Sequence, residues 1–474
     1  MGETAPSPTA EQGSFRDWDA RVFAEDGRVL RALSPAGLAD WEALSGSELF
    51  AHFTGEGRLV GSARADDELD AVRRADPTAG WVAVLSHERI PFVSYAYEWP
   101  FSMLKEAALL QLELTAAALA EGLAVKDATP YNVQWRGSSP VFVDVGSFER
   151  GRPGEPWAGY RQFCMLFLYP LMLEAYRGVR FQPWLRGSVD GIPPREFRAL
   201  FTRRDAFRPG MLKHVFLHAS LESRYAASGS QDVRGDLEQA GFDNALVAAN
   251  VRGLTKLVTR LRSPRGESAW VDYHATCTYQ DEDSAAKEDF VRRAAGRQQR
   301  TLVWDIGCND GRHSRIAAES ADTVVAIDSD AAVVDALYRS LKDEGNSSIL
   351  PLVVDLADPS PAIGWRNAER SALEERGRPD LVLCLAVVHH LSITHNVPLR
   401  EIVAWLRSLD CEVVVELPHR DDPMVQTLLR HKRPEAHPDY EVATFESVLG
   451  DAFEIVESLA LSSGTRTLYL VRPA

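Results

Sequence analysis

Asp305-Ile306-Gly307-Cys308-Asn309-Asp310-Gly311 joins an apolar run, Thr301 to Trp304, to a segment of helical character beginning near Arg312. A second apolar run, Thr323 to Ile327, ends in Asp328, and a third, Ile349 to Val354, ends in Asp355. In a doubly wound α/β sheet, ligands bind outside the carboxyl ends of the strands, where glycine lets backbone approach and an acid accepts ribose hydroxyls. Three successive strand ends closed by carboxylates therefore predict a nucleoside-sized pocket. The turn departs from the GxGxxG dinucleotide pattern, because Asn309 stands where the second glycine would be. Pro379 to Ala386 and Cys411 to Val415 are apolar enough for central strands buried on both faces. Strand-like runs alternate with helix-length segments, the signature of parallel β-α units. Phe453 to Leu459 and Arg466 to Val471 then follow in quick succession, bringing the expected strands to seven.

The glycine turn and the order of the acids after it resemble the class I S-adenosylmethionine-dependent methyltransferases, over about Thr301 to Arg472. The resemblance implies a Rossmann-like seven-stranded domain with an antiparallel terminal hairpin, and S-adenosylmethionine as cofactor. By that likeness Asp305 and Gly307 border the methionine part, with Cys308, Asn309 and Gly311 completing the turn. Asp328, beside Ser329, would hold the ribose hydroxyls, and Asp355, beside Leu356, the adenine amine. Tyr279, Trp270 and Tyr273 precede the first strand of this region, and such aromatics can shield a sulfonium. A lid including Tyr279 and ordinary core packing are equally open for them.

Methyl transfer is an in-line displacement, so the protein aligns the acceptor, excludes water and, for a hydroxyl, removes a proton. His389 and His390 follow the fourth strand directly, with His395-Asn396 before Pro398, and a histidine suits proton removal near neutral pH. Glu416, ending the fifth strand before Pro418-His419, is a second candidate base. Helix capping or packing is the competing role for the histidines, and a solvated strand-end carboxylate for Glu416. Asp358-Pro359-Ser360-Pro361 and Gly364-Trp365-Arg366-Asn367 are expected to form a loop near the cofactor or acceptor.

The first half carries a fainter pattern. Apolar residues recur at helical spacing between Glu106 and Leu123, followed by Asp127, Asn132 five residues later, a short apolar strand Val141 to Val143, and Asp144-Val145-Gly146. Residues Ala124 to Phe148 resemble the catalytic and metal-binding loops of protein kinase-like and aminoglycoside phosphotransferase-like folds. That likeness makes Asp127 the base and Asn132 and Asp144 the magnesium ligands of an ATP site. No lysine precedes Lys105, so a phosphate-clamping lysine is absent; Arg58, Arg64 or Arg89 would have to substitute, and arginine is not an equivalent. Gly55-Glu56-Gly57 with Gly61 has the wrong spacing for a glycine-rich loop and reads equally as a turn. The expectation is a kinase-like α+β scaffold that binds without phosphoryl transfer. LAVVHHLSITHNVPL (Leu385 to Leu399), DPSPAIGW (Asp358 to Trp365) and this first half together resemble bacterial methyltransferases grouped with host-specific nodulation protein relatives. A small-molecule, saccharide-type or carrier-borne acceptor is implied, and the histidines favour oxygen. A bifunctional phosphotransferase and methyltransferase, or a cofactor-binding protein without turnover, remain the alternatives.

Composition bounds the rest. At 474 residues the chain exceeds one ordinary core, so separate domains are expected: a disordered start at 1–14, a kinase-like domain at 15–262, a linker and lid at 263–300 with the boundary in Ser263 to Ser268, and the methyltransferase domain at 301–474. A net charge of −16 and a pI near 5.3 disfavour nucleic acid and anionic lipid as partners. Five cysteines without CxxC or Cys/His spacing argue against a disulfide framework or zinc, and fit reduced cytoplasmic thiols. No secretory signal is expected at the N-terminus. The greasiest run, Phe163 to Leu173, is too short to span a bilayer and reads as a buried helix.

Overall fold

The computed structural model describes residues 8–25, 27–152, 155–220, 244–264, 281–433 and 436–474. The first half opens with strands β1 (Thr9–Ala10), β2 (Ala20–Glu25) and β3 (Arg28–Leu33), then helices α1 (Pro35–Ser45) and α2 (Glu48–Gly55), then β4 (Ser62–Arg64) and β5 (Ala83–His87). Ser34 and Ser47 cap the two helices by accepting the amides of Gly37 and Phe50, leaving fewer helix-end donors unsatisfied. The strands form an antiparallel sheet ordered β1-β2-β3-β5-β4. Side-chain alternation along β3 sends Leu30 and Ala32 into a small core with Phe23, Val72, Trp81 and Val84, and Arg31 and Leu33 to the opposite face. Gly57, at φ +69°, makes the tight turn after α2, so Gly55-Glu56-Gly57 is a helix exit.

Helix α3 (Phe101–Ala120) is apolar nearly all round and is accordingly buried through Leu104, Leu110, Leu112 and Leu114. Strand β6 (Leu123–Val125), the hairpin β7 (Val133–Arg136) and β8 (Ser139–Phe142), and β9 (Phe148–Arg150), which pairs with β6, follow it. Phe163 to Leu173 lies within a helical stretch from Tyr160 to Arg177 and is buried throughout. Helix α4 (Asn244–Arg260) then packs on α3. Among the described residues, no helix is long and apolar enough to cross a membrane.

The second half runs α5 (Asp281–Ala295), β10 (Arg300–Ile306), α6 (Arg312–Ala318), β11 (Ala321–Asp328), α7 (Ala331–Asp343), β12 (Ile349–Val353), β13 (Leu381–Cys384), α8 (Leu399–Ser408), β14 (Glu412–Pro418), α9 (Val442–Ala452), β15 (Phe453–Ala460) and β16 (Arg466–Pro473). Its sheet has the order β12-β11-β10-β13-β14-β16-β15, with β16 antiparallel to both neighbours and the five strands from β10 to β14 parallel. Counting from β10, the order is 3-2-1-4-5-7-6, the Rossmann-like methyltransferase fold. Residues of β10 alternate between two cores: Leu302, Trp304 and Ile306 enter one, and Val303 enters the other beneath α5 and α6.

The two halves do not keep separate hydrophobic cores. One continuous cluster runs from Ala20 through α3 to Trp304, Leu352 and Val471. Phe92 meets Trp304 edge-on at 6.2 Å, and Trp135 meets Tyr338 at 5.6 Å. The amide of Ser102 donates to Asp335 at 2.7 Å, and the Ser138 hydroxyl to the Asn346 carbonyl at 2.7 Å. Arg376 makes a buried bidentate pair with Glu98 and lies over the rings of Phe92 and Tyr95. The expectation of cores that close independently fails here because β12, the edge of the large sheet, is covered by the first half near β7 and Ala96–Glu98.

Candidate cofactor and acceptor site

The loop after β10 is built from three residues in the left-handed region, Gly307 (φ +73°), Asn309 (φ +50°) and Gly311 (φ +76°). Asparagine is one of the few side chains that tolerates this region, which is how the chain dispenses with the second glycine. At Gly307 a Cβ would lie 2.5 Å from Val387 Cγ2, and at Gly311 it would lie 2.5 Å from Leu337 Cδ1. The Gly307 and Cys308 amides both donate to the Ile327 carbonyl, at 2.8 and 3.0 Å, pinning the loop to β11. Asp328, at the end of β11, accepts the Asn309 amide at 3.1 Å through Oδ2 and the Asp330 amide at 3.0 Å through Oδ1. Asp330 in turn caps α7.

The acids differ in environment. Asp305 is buried and accepts the Ser314 hydroxyl at 2.5 Å; burial pushes its carboxyl up to about 6. Burial likewise raises Asp328, against the pull of its backbone hydrogen bonds. Asp355 is exposed and accepts the Ala357 amide at 2.9 Å. Ser329 is exposed, Leu356 is half-buried against the large core, and the Cys308 thiol is buried and raised by that burial. Cys164, Cys384 and Cys411 are also buried free thiols, and Cys277 lies outside the described residues, as do Tyr279, Trp270 and Tyr273.

His389 and His390 follow β13 with ring centroids 4.1 Å apart, but only His389 turns inward. His389 is 2% exposed and its Nδ1 has no hydrogen-bond partner. Burial, then the neighbouring His390 and Arg466, hold its pKa at about 3, so the ring is neutral. His390 and His395 are exposed. Ala386, between β13 and His389, sits at φ +56°, a strained position for alanine that the sequence does not advertise.

Glu416 differs from the free strand-end base expected of it. It is fully buried, with Lys287 Nζ at 2.6 Å and Arg466 Nη1 at 3.3 Å, and Arg466 also holds Asp422 at 2.6 Å. Burial raises the Glu416 carboxyl, but the two cations outweigh it and keep it below the usual range. A carboxylate held this way takes up a proton only by giving up ion pairs, so it serves as an anchor. Lys287 and Arg466 lie far from Glu416 in sequence, Asp422 six residues after it, and none of them carries a motif, so only the folded chain exposes the cluster.

In the first half, Asp144 pairs with Arg31 at 2.7 Å and accepts the Ser147 hydroxyl at 2.5 Å. Asn132 donates to Ser147 at 2.9 Å, so both expected magnesium ligands are tied to one serine. Arg31, and none of Arg58, Arg64 or Arg89, is the arginine that meets Asp144; Arg58 pairs with Glu113 and Arg64 with Asp66. Burial and then Asp144 raise the Asp127 carboxyl. Among the described residues, no three histidine, cysteine or carboxylate side chains are grouped to hold a metal.

No family model matches the chain. It is 34% identical over 469 residues to nodulation protein NoeA of Rhizobium meliloti, covering 98% of this chain and 96% of that one. The chain belongs to the NoeA family. Solved structures similar to this NoeA relative include N-methyltransferase NodS from Bradyrhizobium japonicum with S-adenosyl-L-homocysteine, at 15% identity, covering 40% of this chain and 87% of that one, TM-score 0.29. Magnesium protoporphyrin IX methyltransferase ChlM from Synechocystis is 21% identical, covering 40% and 84%, with TM-score 0.29. At such scores the fold of this NoeA-family chain rests on the strand order of its own sheet.

Proposed function

We propose that the chain is an S-adenosylmethionine-dependent methyltransferase acting on a small-molecule or carrier-borne acceptor, at oxygen. The observation that carries this reading is the glycine-cradled turn hydrogen-bonded to Asp328 at the tip of β11, in a sheet of methyltransferase order. Val387 packs where a Gly307 Cβ would stand, so glycine holds the turn close against the segment that follows β13. Asp305 and the turn from Gly307 to Gly311 would border the methionine part, Asp328 and Ser329 the ribose, and Asp355 and Leu356 the adenine. When bound, the cofactor supplies an electrophilic methyl group. His389 offers a neutral imidazole with an unpartnered Nδ1 that can accept the hydrogen bond of an acceptor hydroxyl and orient it, but a pKa held at about 3 makes it a weak proton acceptor, unlike the free histidine expected from the sequence. His390 lies exposed beside it and would border an acceptor's way in. Incubation with cofactor carrying a labelled methyl group and a pool of hydroxylated acceptors tests the reading: label transferred by the wild type and lost in Asp328→Ala supports it. Absence of transfer to any acceptor, with cofactor still bound, leaves a binding protein instead.

The first half is proposed to be a kinase-like scaffold without phosphoryl transfer. The Arg31 guanidinium stands on Asp144, where a kinase-like site needs a metal, and Asn132 is spent on Ser147. ATP hydrolysis sensitive to Asp144→Asn would favour a bifunctional enzyme instead.

A further inference from the structure

A cleft of about 960 Å³ opens where the two halves meet. Phe101, Lys105 and Leu109 of α3 form one wall, and Pro140 of the β7–β8 hairpin, Arg262 at the end of α4 and Arg339 of α7 contribute the others. Helix α7 begins at its cap Asp330, bonded to Asp328, and Arg339 lies roughly 13 Å farther along the axis. The cleft is therefore separate from the site at the strand tips.

Its charge runs against that of the molecule. The chain carries a net charge of −16, yet five Lys or Arg and three Asp or Glu line this cleft among the described residues. Three of the cations are already paired: Lys342 with Glu106 at 2.7 Å, Arg339 with Asp335 at 3.3 Å, and Arg58 with Glu113. Lys105 and Arg262 are in no ion pair among the described residues. Both sit instead on the same two carbonyls at the end of α4, those of Thr259 and Leu261, at 2.9 and 3.0 Å from Lys105 Nζ and at 2.6 and 3.0 Å from Arg262 Nη1.

Shared acceptors hold two like charges side by side, a repulsion that the negative end of the helix offsets in part. Lys105 spends two of its three ammonium donors and Arg262 only those of Nη1, so one ammonium N–H and the guanidinium Nε and Nη2 remain free for a ligand. Two adjacent cations with unspent donors match the several oxygens and the double charge of a phosphate monoester better than one carboxylate. The apolar side chains of Phe101, Leu109 and Pro140 share the cleft, whose volume suits a small organic ligand.

We propose that this cleft is a second ligand site, for a small molecule joining a phosphate group to an apolar body, with Lys105 and Arg262 taking the phosphate oxygens and Phe101, Leu109 and Pro140 the apolar part. The site does not depend on the cofactor reading.

Calorimetric titration of the full chain with phenyl phosphate, inorganic phosphate and benzoate tests the assignment. Phenyl phosphate should saturate one site, about fivefold or more tighter than inorganic phosphate, which lacks the ring, and than benzoate, which lacks the second charge. Saturating S-adenosylhomocysteine should not displace it. Lys105→Met and Arg262→Gln should each weaken it by about tenfold, the scale of losing a hydrogen bond to a charged group. Each variant leaves the other cation on the α4 carbonyls, so circular dichroism should stay native. No saturable binding, phenyl phosphate no tighter than benzoate or inorganic phosphate, unchanged affinity in either variant, or displacement by S-adenosylhomocysteine overturns the proposal.

Discussion

The Asn309 amide donates to Asp328 Oδ2 at 3.1 Å, joining the turn after the first strand of the large sheet to the acid that ends the second. Asn309 can do this because it holds φ +50°. Asn309→Gly should therefore preserve the site, whereas Asn309→Val should cost about 1–2 kcal/mol of stability, since a β-branched side chain is poorly tolerated in the left-handed region. Thermal or urea unfolding of the two variants checks this.

Gly307→Ala combines a positive φ with a Cβ 2.5 Å from Val387 Cγ2. We expect S-adenosylhomocysteine affinity to fall by about tenfold or more while the far-ultraviolet circular dichroism stays native, because the turn must move away from β13 to relieve the clash. Unchanged affinity would place the ligand elsewhere.

The acid pairs have consequences for pH. Burial holds the Asp305 carboxyl at about 6, and a methionine end seated beside it, as proposed, would bring an ammonium group that favours the ionised form. S-adenosylhomocysteine affinity should thus rise as pH increases through about 6 and level off above 7, whereas 5′-methylthioadenosine, which has no ammonium, should show no such step. Calorimetry between pH 5 and 8 reads both curves.

His389→Ala should reduce methyl transfer by about tenfold or more, the scale of losing one hydrogen bond that orients the acceptor hydroxyl, with cofactor affinity retained. His390→Ala, altering the exposed ring, should reduce it far less. Single-turnover rates with labelled cofactor distinguish the two.

Much of this site is readable in the linear sequence. Each of the strands β10, β11 and β12 is an apolar run closed or followed by an acid, so the positions of Asp305, Asp328 and Asp355 follow from local pattern. Lys287, Glu416, Arg466 and Asp422 do not, because their meeting is set by which strands are neighbours, and Glu416 read alone looks like a free base. The same holds for Arg31 on Asp144, brought together from segments more than 100 residues apart. The shared core was hidden for a related reason: Phe92 and Trp135 are ordinary apolar residues until Trp304 and Tyr338 pack against them.

That shared core predicts that the halves unfold as one unit. Arg376→Met leaves the Glu98 carboxylate buried without its bidentate partner and should cost about 3–5 kcal/mol. Both halves should lose structure in a single transition at lower temperature, and differential scanning calorimetry showing two separated transitions would contradict the shared core.

The most direct measurement is isothermal titration of the full chain with S-adenosylhomocysteine, beside Asp328→Ala. One saturable site in the wild type, lost or weakened by about tenfold or more in the variant, is the result expected of a nucleoside held at the tip of β11. A well-folded wild type that takes up no S-adenosylhomocysteine, or an Asp328→Ala variant that binds it unchanged, would contradict the proposed cofactor site.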